Sequence, residues 1–290
     1  MGTTDKLENY ISMITHSLVH YFGSKFNATS VLKPYFPAFT NTDQYYFDVF
    51  AGSLSMCFAL NPKSVILNDK WDALINFWIC VKEHCTELNQ ELEYVWASPY
   101  WYDHYQQRTD PVGKAIFFYI SHLWSRGLPK DIFRYYYNSA RVVKDFSLWK
   151  SWFDSRNSLV IWNLDFREVL TKIASYGQDT TKSHVIYCDP PYVSFGHVYN
   201  VPFTSQDHTD LQVLLSSLYD HPNKWVFLSY DDCPQIREQY SNWYMKEVSW
   251  KVGAGVSRGS EDYHELLISN RPIKPQQTIS TALTDFFKVK

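Results

Sequence analysis

Short apolar runs alternate with longer segments of helical spacing along most of this chain. The runs are four to six residues long, rich in β-branched and aromatic residues, and bounded by polar or turn-forming residues, which predicts strands. The predicted strands are Tyr45 to Phe50, Ser64 to Leu67, Ser158 to Trp162, Val185 to Cys188, Trp225 to Ser229 and His264 to Ile268. Helices are predicted at Ser53 to Leu60, Trp71 to Glu83 and His208 to Leu218. Strands separated by helices predict an α/β fold, with a mostly parallel sheet and helices on both faces.

Between residues 92 and 152 this alternation is interrupted. Aromatic residues, mixed helical sequence and three prolines (Pro99, Pro111 and Pro129) replace it, which predicts an inserted helical subdomain. We therefore assign residues 1–90 and 155–272 to the main domain, 91–154 to the insert and 273–290 to a C-terminal tail.

Composition narrows the class of protein. With 290 residues, of which 45% are hydrophobic, the chain can bury one core or one core plus a small subdomain. No apolar run approaches the ~20 residues of a membrane helix, and the N-terminus has no signal-peptide pattern. Five cysteines without framework spacing indicate free thiols, and so a cytoplasmic protein. No metal site is expected, because Cys80, His84 and Cys85 lack a second ligand pair at zinc spacing; the two cysteines are expected to be apolar helix residues.

The tetrapeptide Asp189-Pro190-Pro191-Tyr192 directly follows the strand predicted at Val185 to Cys188. Its two prolines end the strand and stiffen the loop, and neither has a backbone N–H. The loop therefore presents mainly acceptors, the Asp189 carboxylate and the Pro190 carbonyl, beside the flat ring of Tyr192. Two acceptors next to an aromatic ring suit an amino group on a planar heterocycle. A loop whose prolines merely end a strand is the alternative that these four residues leave open.

A second candidate ligand site follows the first strand. Gly52 has no Cβ, so the backbone can pass close to a ligand there, and the next helix N-terminus can face a carboxylate. In such a sheet, ligands bind beyond the carboxyl ends of the strands, near the point where the strand order reverses. A glycine loop followed by Asp69 is also compatible with a dinucleotide-binding dehydrogenase. The absence of the pattern G-x-G-x-x-G argues against that cofactor.

Taken together, these segments resemble a known family. An Asp-Pro-Pro-Tyr loop is typical of methyltransferases that act on amino groups of nucleic acid bases, and the chain resembles the Dam-like, D12-class (alpha-group) DNA adenine N6-methyltransferases of phages and bacteria. The cofactor loop precedes the catalytic loop, as in that family. Further matching segments are Tyr21-Phe22-Gly23-Ser24-Lys25, Phe47 to Ser55, Asn68-Asp69-Lys70, Asn163-Leu164-Asp165-Phe166, Ser229-Tyr230 and Glu265 to Asn270. After the catalytic loop, Tyr199 and Phe203 followed by Asp207-His208 and Leu211 also fit the spacing of that family.

The resemblance implies a Rossmann-like S-adenosylmethionine-dependent methyltransferase fold and direct methyl transfer to a flipped adenine of double-stranded DNA. The implied catalytic residues are Asp189, Pro190, Pro191 and Tyr192. The implied cofactor-binding residues are Tyr21, Lys25, Asp48, Phe50, Ala51, Gly52, Ser53, Leu54, Ser55, Asp69, Asp165, Phe166 and Asp189. Asp69 is expected to accept from the ribose hydroxyls, and Asp165 from the adenine amino group of the cofactor. Many relatives have a second glycine where this chain has Leu54, although phage-type members share the leucine.

The segment from Arg108 to Arg156 carries a net positive charge, whereas the rest of the chain is net negative. Between Arg108 and Arg156, nine basic residues accompany four acidic ones, in a chain of formal net charge −3. A basic segment of this kind is typical of a DNA-recognition subdomain, and an ordinary solvated helical surface is the alternative. The expected DNA contacts are Arg126, Lys130, Arg134, Asn138 and Arg141. The segment Arg134 to Arg141 does not match the GATC-reading element of Dam enzymes, so no recognition sequence is carried over.

Two further interpretations stay open. The C-terminal residues Leu283, Phe286 and Phe287 resemble peptides that dock on sliding clamps, whereas a loose or self-packed tail is the ordinary alternative. An Asp-Pro-Pro-Tyr loop also serves N4-cytosine and RNA amino-methyltransferases, and a non-catalytic DNA-binding relative is the alternative from another class.

Overall fold

Seven strands form one sheet in the computed structural model, which describes residues 24–40, 43–125, 145–176, 181–194, 201–251 and 262–276. The strands are β1 (Gln44–Asp48), β2 (Ser64–Asn68), β3 (Ser158–Trp162), β4 (Ser183–Cys188), β5 (Lys224–Asp231), β6 (Tyr244–Lys251) and β7 (Asp262–Ser269). Their spatial order is β3-β2-β1-β4-β5-β7-β6. The first five are parallel, and β7 is antiparallel to both of its neighbours.

The predicted mostly parallel sheet is confirmed, and all six predicted strands are present with ends shifted by at most two residues. β6 was not predicted. Its sequence, Tyr244–Lys251, mixes charged and apolar residues, because it forms an edge of the sheet and only part of it is buried. An edge strand gives a weaker hydrophobic signal than strands that are covered on both faces.

Ten α-helices accompany the sheet in the described residues. They are α1 (Thr29–Leu32), α2 (Ser55–Leu60), α3 (Asp72–Glu83), α4 (Cys85–Leu92), α5 (Pro99–Gln106), α6 (Pro111–Ser125), α7 (Ser147–Asp154), α8 (Phe166–Ser175), α9 (Ser205–Ser216) and α10 (Pro234–Gln239). α9 begins three residues before the predicted start, because Thr204 and Asp207 form a capping box in which each side chain accepts from the backbone N–H of the other. Within the described ranges, no helix combines the length and the apolar character that a membrane crossing requires.

Helices cover both faces of the sheet, as predicted. Neighbouring residues of β2 point to opposite faces, so Val65 and Ile66 belong to two different hydrophobic clusters. The first cluster includes α3 and α6, whose rings Phe77 and Tyr119 stack with centroids 5.9 Å apart. The second includes α8 and α9. Helices of the region 91–154 therefore pack directly on helices that follow β2, while the assigned domain boundaries stay a prediction.

The sheet order fixes where a ligand can bind. β1 and β4 are hydrogen-bonded neighbours, but the chain leaves β1 towards β2 and β3 and leaves β4 towards β5. Loops that diverge from adjacent parallel strands open a crevice at their carboxyl ends. Asp48 ends β1 and Asp189 follows β4, so the two halves of the predicted site meet there.

Candidate active site

A pocket opens at the carboxyl ends of β1, β2 and β4 and contains most of the residues assigned from the sequence. The assigned residues that line it are Lys25, Asp48, Phe50, Ala51, Gly52, Ser53, Ser55, Asp69, Asp165, Phe166, Asp189 and Pro191. Seven polar or aromatic lining residues were not assigned: Ser24, Asn68, Lys70, Trp71, Tyr187, Phe203 and Asp207. Five of them belong to the matched segments, whereas Trp71 directly follows one of these segments and Tyr187 lies in the strand before the Asp189 loop.

The loop after β1 is held in an unusual backbone shape. Gly52 has φ 48° and Leu54 has φ 58°, both in the left-handed region. The Leu54 side chain is fully buried in the core and does not line the pocket. The hydrogen bonds that fix the loop include those from Ala51 N to Asn68 O at 2.7 Å, from Gly52 N to Asp69 Oδ2 at 3.1 Å, and from Trp78 Nε1 to Gly52 O at 2.9 Å. The left-handed backbone explains why a glycine suits position 54.

Asp48 is a buried carboxylate that no ion pair joins to a cation within the described residues. It is 2% exposed, and its Oδ2 accepts a hydrogen bond from the Tyr46 hydroxyl at 3.1 Å. Its Oδ1 has no hydrogen-bond partner among the described residues. Burial raises the pKa of Asp48 well above its usual value, and the Tyr46 hydrogen bond opposes this only in part. This carboxylate is therefore prepared to accept from a donor that is not part of the described chain.

Two further carboxylates line the pocket: Asp69, which follows β2, and Asp165, which follows β3. Asp69 accepts from the backbone N–H groups of Gly52 and Trp71, at 3.1 and 3.0 Å, yet burial still raises its pKa. Asp165 caps α8 through the N–H of Arg167, and its Oδ2 accepts from Lys70 Nζ at 2.7 Å. Although burial acts to raise the pKa of Asp165, the bonds from Lys70 and Arg167 lower it. Asp165 thus stays ionised at the rim of the pocket.

Three serine hydroxyls form a triangle in the pocket wall. Ser53 Oγ lies 2.9 Å from Ser24 Oγ and 2.8 Å from Ser55 Oγ, and the Ser24–Ser55 distance is 3.2 Å. Each hydroxyl has one proton and two lone pairs, so the triangle can orient donors towards an anionic group. Ser24 belongs to the matched N-terminal segment, where the sequence analysis assigned only Tyr21 and Lys25.

Asp189 shares one buried lysine with a second carboxylate, Glu265. Lys25 Nζ lies 2.8 Å from Asp189 Oδ1 and 3.5 Å from Glu265 Oε1. Although burial acts to lower it, attraction to both carboxylates raises the pKa of Lys25. Burial raises the pKa of Asp189 despite the lysine, and raises that of Glu265 to about 7. Glu265 was placed only in a strand, because its approach to Lys25 depends on the antiparallel insertion of β7.

The Asp189-Pro190-Pro191-Tyr192 loop is anchored from both sides. The ammonium of Lys25 lies 4.7 Å from the centroid of the Tyr192 ring, a cation–π contact. Tyr192 is 9% exposed, and its hydroxyl donates to Asp189 Oδ1 over 3.5 Å. Beyond the loop, Asp231 at the end of β5 accepts from Val193 N at 3.3 Å and from Ser194 N at 3.2 Å. The prolines and these bonds hold the Asp189 carboxylate in a fixed place.

All five expected DNA contacts lie outside the described residues. These contacts are Arg126, Lys130, Arg134, Asn138 and Arg141. Tyr21 of the cofactor set and the clamp-like Leu283, Phe286 and Phe287 also lie outside the described residues. At the ends of the basic segment, the charges are engaged within the protein. Arg108 pairs with Glu91 at 3.0 Å and with Asp110 at 2.5 Å, and the buried Arg156 donates to Pro62 O and lies over the Trp152 ring. The segment therefore offers less free positive charge than its composition suggests.

The fold and the pocket define the class of protein. A seven-stranded sheet of this order, with the ligand pocket at the divergence of β1 and β4, is a Rossmann-like methyltransferase fold. Residues 21–254 match the family model of the "D12 class N6 adenine-specific DNA methyltransferase". The chain belongs to this family, which confirms the resemblance and makes the protein a methyltransferase of a family that methylates adenine in DNA.

Comparisons with individual proteins add little. A solved structure of a "putative methylase" from Haemophilus influenzae is 15% identical in sequence, with a match that covers 83% of this chain and 84% of that one and a TM-score of 0.32. No curated protein matched the sequence.

Proposed function

We propose that the protein transfers the methyl group of S-adenosylmethionine to the N6 amino group of an adenine flipped out of double-stranded DNA. The observation that carries this proposal is a shared pocket. The Gly52 loop after β1 and the Asp189 loop after β4 open into the same cavity, at adjacent strands of the sheet. A methyl donor and an acceptor amine held by these two loops would meet within it.

The described side chains fit S-adenosylmethionine. The unpartnered Oδ1 of Asp48 suits the ammonium of its methionine moiety, and the triangle of Ser24, Ser53 and Ser55 suits the carboxylate. Asp69 retains lone pairs for the ribose hydroxyls, and Asp165 for the amino group of the cofactor's adenine. Three rings form an apolar wall for that adenine: Phe50 and Phe203 lie 5.7 and 5.5 Å from Phe166, between centroids.

The acceptor side follows from the geometry of Asp189. Because Lys25 occupies Oδ1, the Oδ2 atom and the Pro190 carbonyl are left to accept the two hydrogens of an amino group. Bonds to both hydrogens hold the amine so that its nitrogen lone pair turns towards the methyl donor and away from the heterocycle. The negative charge of Asp189 also stabilises the positive charge that develops on the nitrogen. When bound, the sulfonium of S-adenosylmethionine supplies an activated methyl group for this attack.

Access to the amine requires a flipped base. Inside a duplex the adenine amino group is paired and stacked, and extruding the base costs a few kcal/mol. Contacts with the Asp189 loop and with the ring of Tyr192 would offset part of that cost. The basic residues expected in the insert would hold the phosphates on either side.

The variant Asp189→Ala tests the mechanism. We expect methyl transfer from labelled S-adenosylmethionine to unmethylated plasmid DNA to fall at least ~10²–10³-fold, as when a transition-state contact is removed, while calorimetry still detects donor binding. Asp232→Ala is the matched control, since Asp232 is a surface carboxylate paired with Arg237. Near-normal turnover by Asp189→Ala would contradict the mechanism.

Nucleoside mass spectrometry of the product tests the substrate. We expect N6-methyladenine in DNA. N4-methylcytosine, or a product found only in RNA, would replace the adenine assignment by the corresponding amino-methyltransferase. If neither donor binding nor any methylated nucleoside is found, the chain is a non-catalytic relative.

A further inference from the structure

Glu265 is a buried carboxylate in direct electrostatic contact with the catalytic loop. It is 5% exposed, lies near the start of β7 and faces the ammonium of Lys25 at 3.5 Å. The same ammonium is 2.8 Å from Asp189. One positive and two negative groups therefore lie together in a region shielded from solvent. The cluster carries a net charge of −1 when both carboxylates are ionised.

This arrangement is not the one that stability alone would favour. Lys25 and Asp189 neutralise each other. The desolvation cost of a second buried carboxylate therefore exceeds the attraction that it gains from a lysine already paired with Asp189. In addition, the Oε2 atom of Glu265 has no hydrogen-bond partner among the described residues. Unfavourable buried charges of this kind concentrate at functional sites.

The charge of Glu265 acts on the site that faces the acceptor amine. If Lys25 were neutralised by Asp189 alone, the pair would present no net charge to a nitrogen that becomes positive. Sharing the lysine with Glu265 leaves the Asp189 carboxylate with more of its negative charge. In a site shielded from water, that charge stabilises the developing cation more strongly than it would at the surface.

We infer that Glu265 is a positioning residue for methyl transfer, which shares the Lys25 ammonium so that Asp189 remains negatively charged at the acceptor nitrogen. This inference rests on the proposed function. Protonated Glu265 no longer attracts Lys25, so the contribution of Glu265 is present at high pH and is lost as the pH falls. The pKa of about 7 for Glu265, raised by burial and by Asp189, sets the range in which this change is measurable.

Titratable groups approach Glu265 from the N-terminal segment, the catalytic loop, β4 and β5. Lys25 and the phenol of Tyr192 face it from the N-terminal segment and from the catalytic loop. The buried phenol of Tyr187, on β4, feels its charge. Asp231 is its register partner on β5 and is occupied by Val193 and Ser194, whereas its partner on β6, Val248, is uncharged. Lys25 is thus the only cation that an ion pair links to Glu265 within the described chain.

The experiment compares Glu265→Gln with the wild type between pH 5.5 and 8.5. Single-turnover methylation of unmethylated plasmid DNA is measured at saturating labelled S-adenosylmethionine. We expect the variant to be about tenfold slower at pH 8.5, the effect of about one pKa unit, and to approach the wild-type rate at pH 5.5, because protonated glutamate is nearly isosteric and isoelectric with glutamine. Using the ratio of rates removes pH effects that both proteins share.

Two further variants make the test specific. Glu265→Asp retains the charge and should retain the pH-dependent advantage over Glu265→Gln, even if it is slower than the wild type. Glu247→Gln, on the neighbouring strand β6, removes an exposed glutamate paired with Arg237 and should change the rate at no pH. If Glu265→Gln does not fold, the pH profile of Glu265→Asp is compared with that of the wild type: the lower intrinsic pKa of aspartate should move the pH-dependent rise in rate to lower pH, and an unmoved profile overturns the inference.

The outcomes separate this inference from the proposed function. A ratio that stays constant with pH, or a Glu265→Gln variant as fast as the wild type at pH 8.5, overturns the role of Glu265 and leaves the methyltransferase proposal intact. If the wild type makes no N6-methyladenine while it binds S-adenosylmethionine, the proposed acceptor is wrong, and the inference falls with it.

Discussion

The loops after β1 and β4 each begin at an aspartate, Asp48 being buried and Asp189 partly buried, but the two aspartates have opposite electrostatic surroundings. Asp48 has a tyrosine hydroxyl on one oxygen and no partner on the other within the described residues. Asp189 has the Lys25 ammonium at 2.8 Å. A carboxylate without a countercharge is suited to a ligand that brings one, such as an amino acid ammonium. A carboxylate with its own lysine is suited to a neutral ligand such as a nucleobase.

The two loops also differ in how their shape is maintained. The loop after β1 depends on left-handed backbone at Gly52 and Leu54, and the loop after β4 depends on Pro190, Pro191 and hydrogen bonds to Asp231. The first can come close to a ligand along its backbone, whereas the second holds one side chain in place. The pocket thus combines a loop whose backbone can lie close to a ligand with a loop that holds one carboxylate in a fixed place.

The variant Lys25→Met should have the largest effect on this comparison. Removing one partner of a buried ion pair leaves Asp189 and Glu265 uncompensated, so we expect a loss of about 3–5 kcal/mol in the free energy of unfolding at pH 8. The loss should be smaller at pH 5.5, because Glu265, with a pKa of about 7, is then protonated. Urea denaturation at both pH values measures this.

Lys70→Met is the matched control, on the side of the pocket proposed for the cofactor. Lys70 pairs with Asp165 but is 57% exposed, so its removal should cost less than about 1 kcal/mol. Equal losses of stability for the two lysine variants would show that the Lys25–Asp189 ion pair contributes no more than an exposed one. The electrostatic distinction between Asp48 and Asp189 would then not hold.

Asp48→Asn should have opposite effects on stability and on binding. A carboxyl whose pKa is raised on folding takes up protons as the protein folds, so it lowers stability as the pH rises through that pKa. At pH 8 the variant should therefore melt at a higher temperature than the wild type without ligand. Its affinity for S-adenosylmethionine should fall about 10–100-fold, because the cofactor ammonium loses a charged acceptor.

Calorimetric titration and thermal melting of the same samples test both parts. Asp154→Asn, at the exposed end of α7, is the control and should change neither quantity. Unchanged affinity in Asp48→Asn would mean that this carboxylate does not meet the cofactor ammonium.

Much of this architecture is readable from the sequence. Four of the strands at the centre of the sheet are continuous apolar runs, and the polar residues that end them are the ones that enter the pocket, as Asp48, Asp69 and Asp189 do. Glu265 could not be assigned a role in this way. It is 240 positions from Lys25, and only the antiparallel placement of β7 beside β5 brings the two together.

For the basic segment, by contrast, the number of charges could be read from the sequence, but their pairing could not. The excess of basic residues between Arg108 and Arg156 was correct as a number, but a composition does not say which charges have partners. Arg108 is held by two carboxylates and Arg156 is buried against Trp152. Pairing depends on the packing of α4, α6 and α7, which local sequence patterns do not specify.

The smallest predicted quantity is a difference in stability between two variants of Leu54, which tests how the loop after β1 keeps its shape. Leu54 has φ 58° and a fully buried side chain, so both Leu54→Ala and Leu54→Gly should destabilise the protein through the lost burial, by about 2–5 kcal/mol. Only the glycine variant also removes the left-handed strain, about 1–2 kcal/mol. It should therefore unfold at higher urea than the alanine variant, the reverse of the usual order. Ala115→Gly in the interior of α6 supplies that usual order as the control, with a loss of about 1 kcal/mol. An alanine variant at position 54 that is more stable than the glycine variant would show that the loop holds no such strain, and that burial alone maintains the approach to the cofactor.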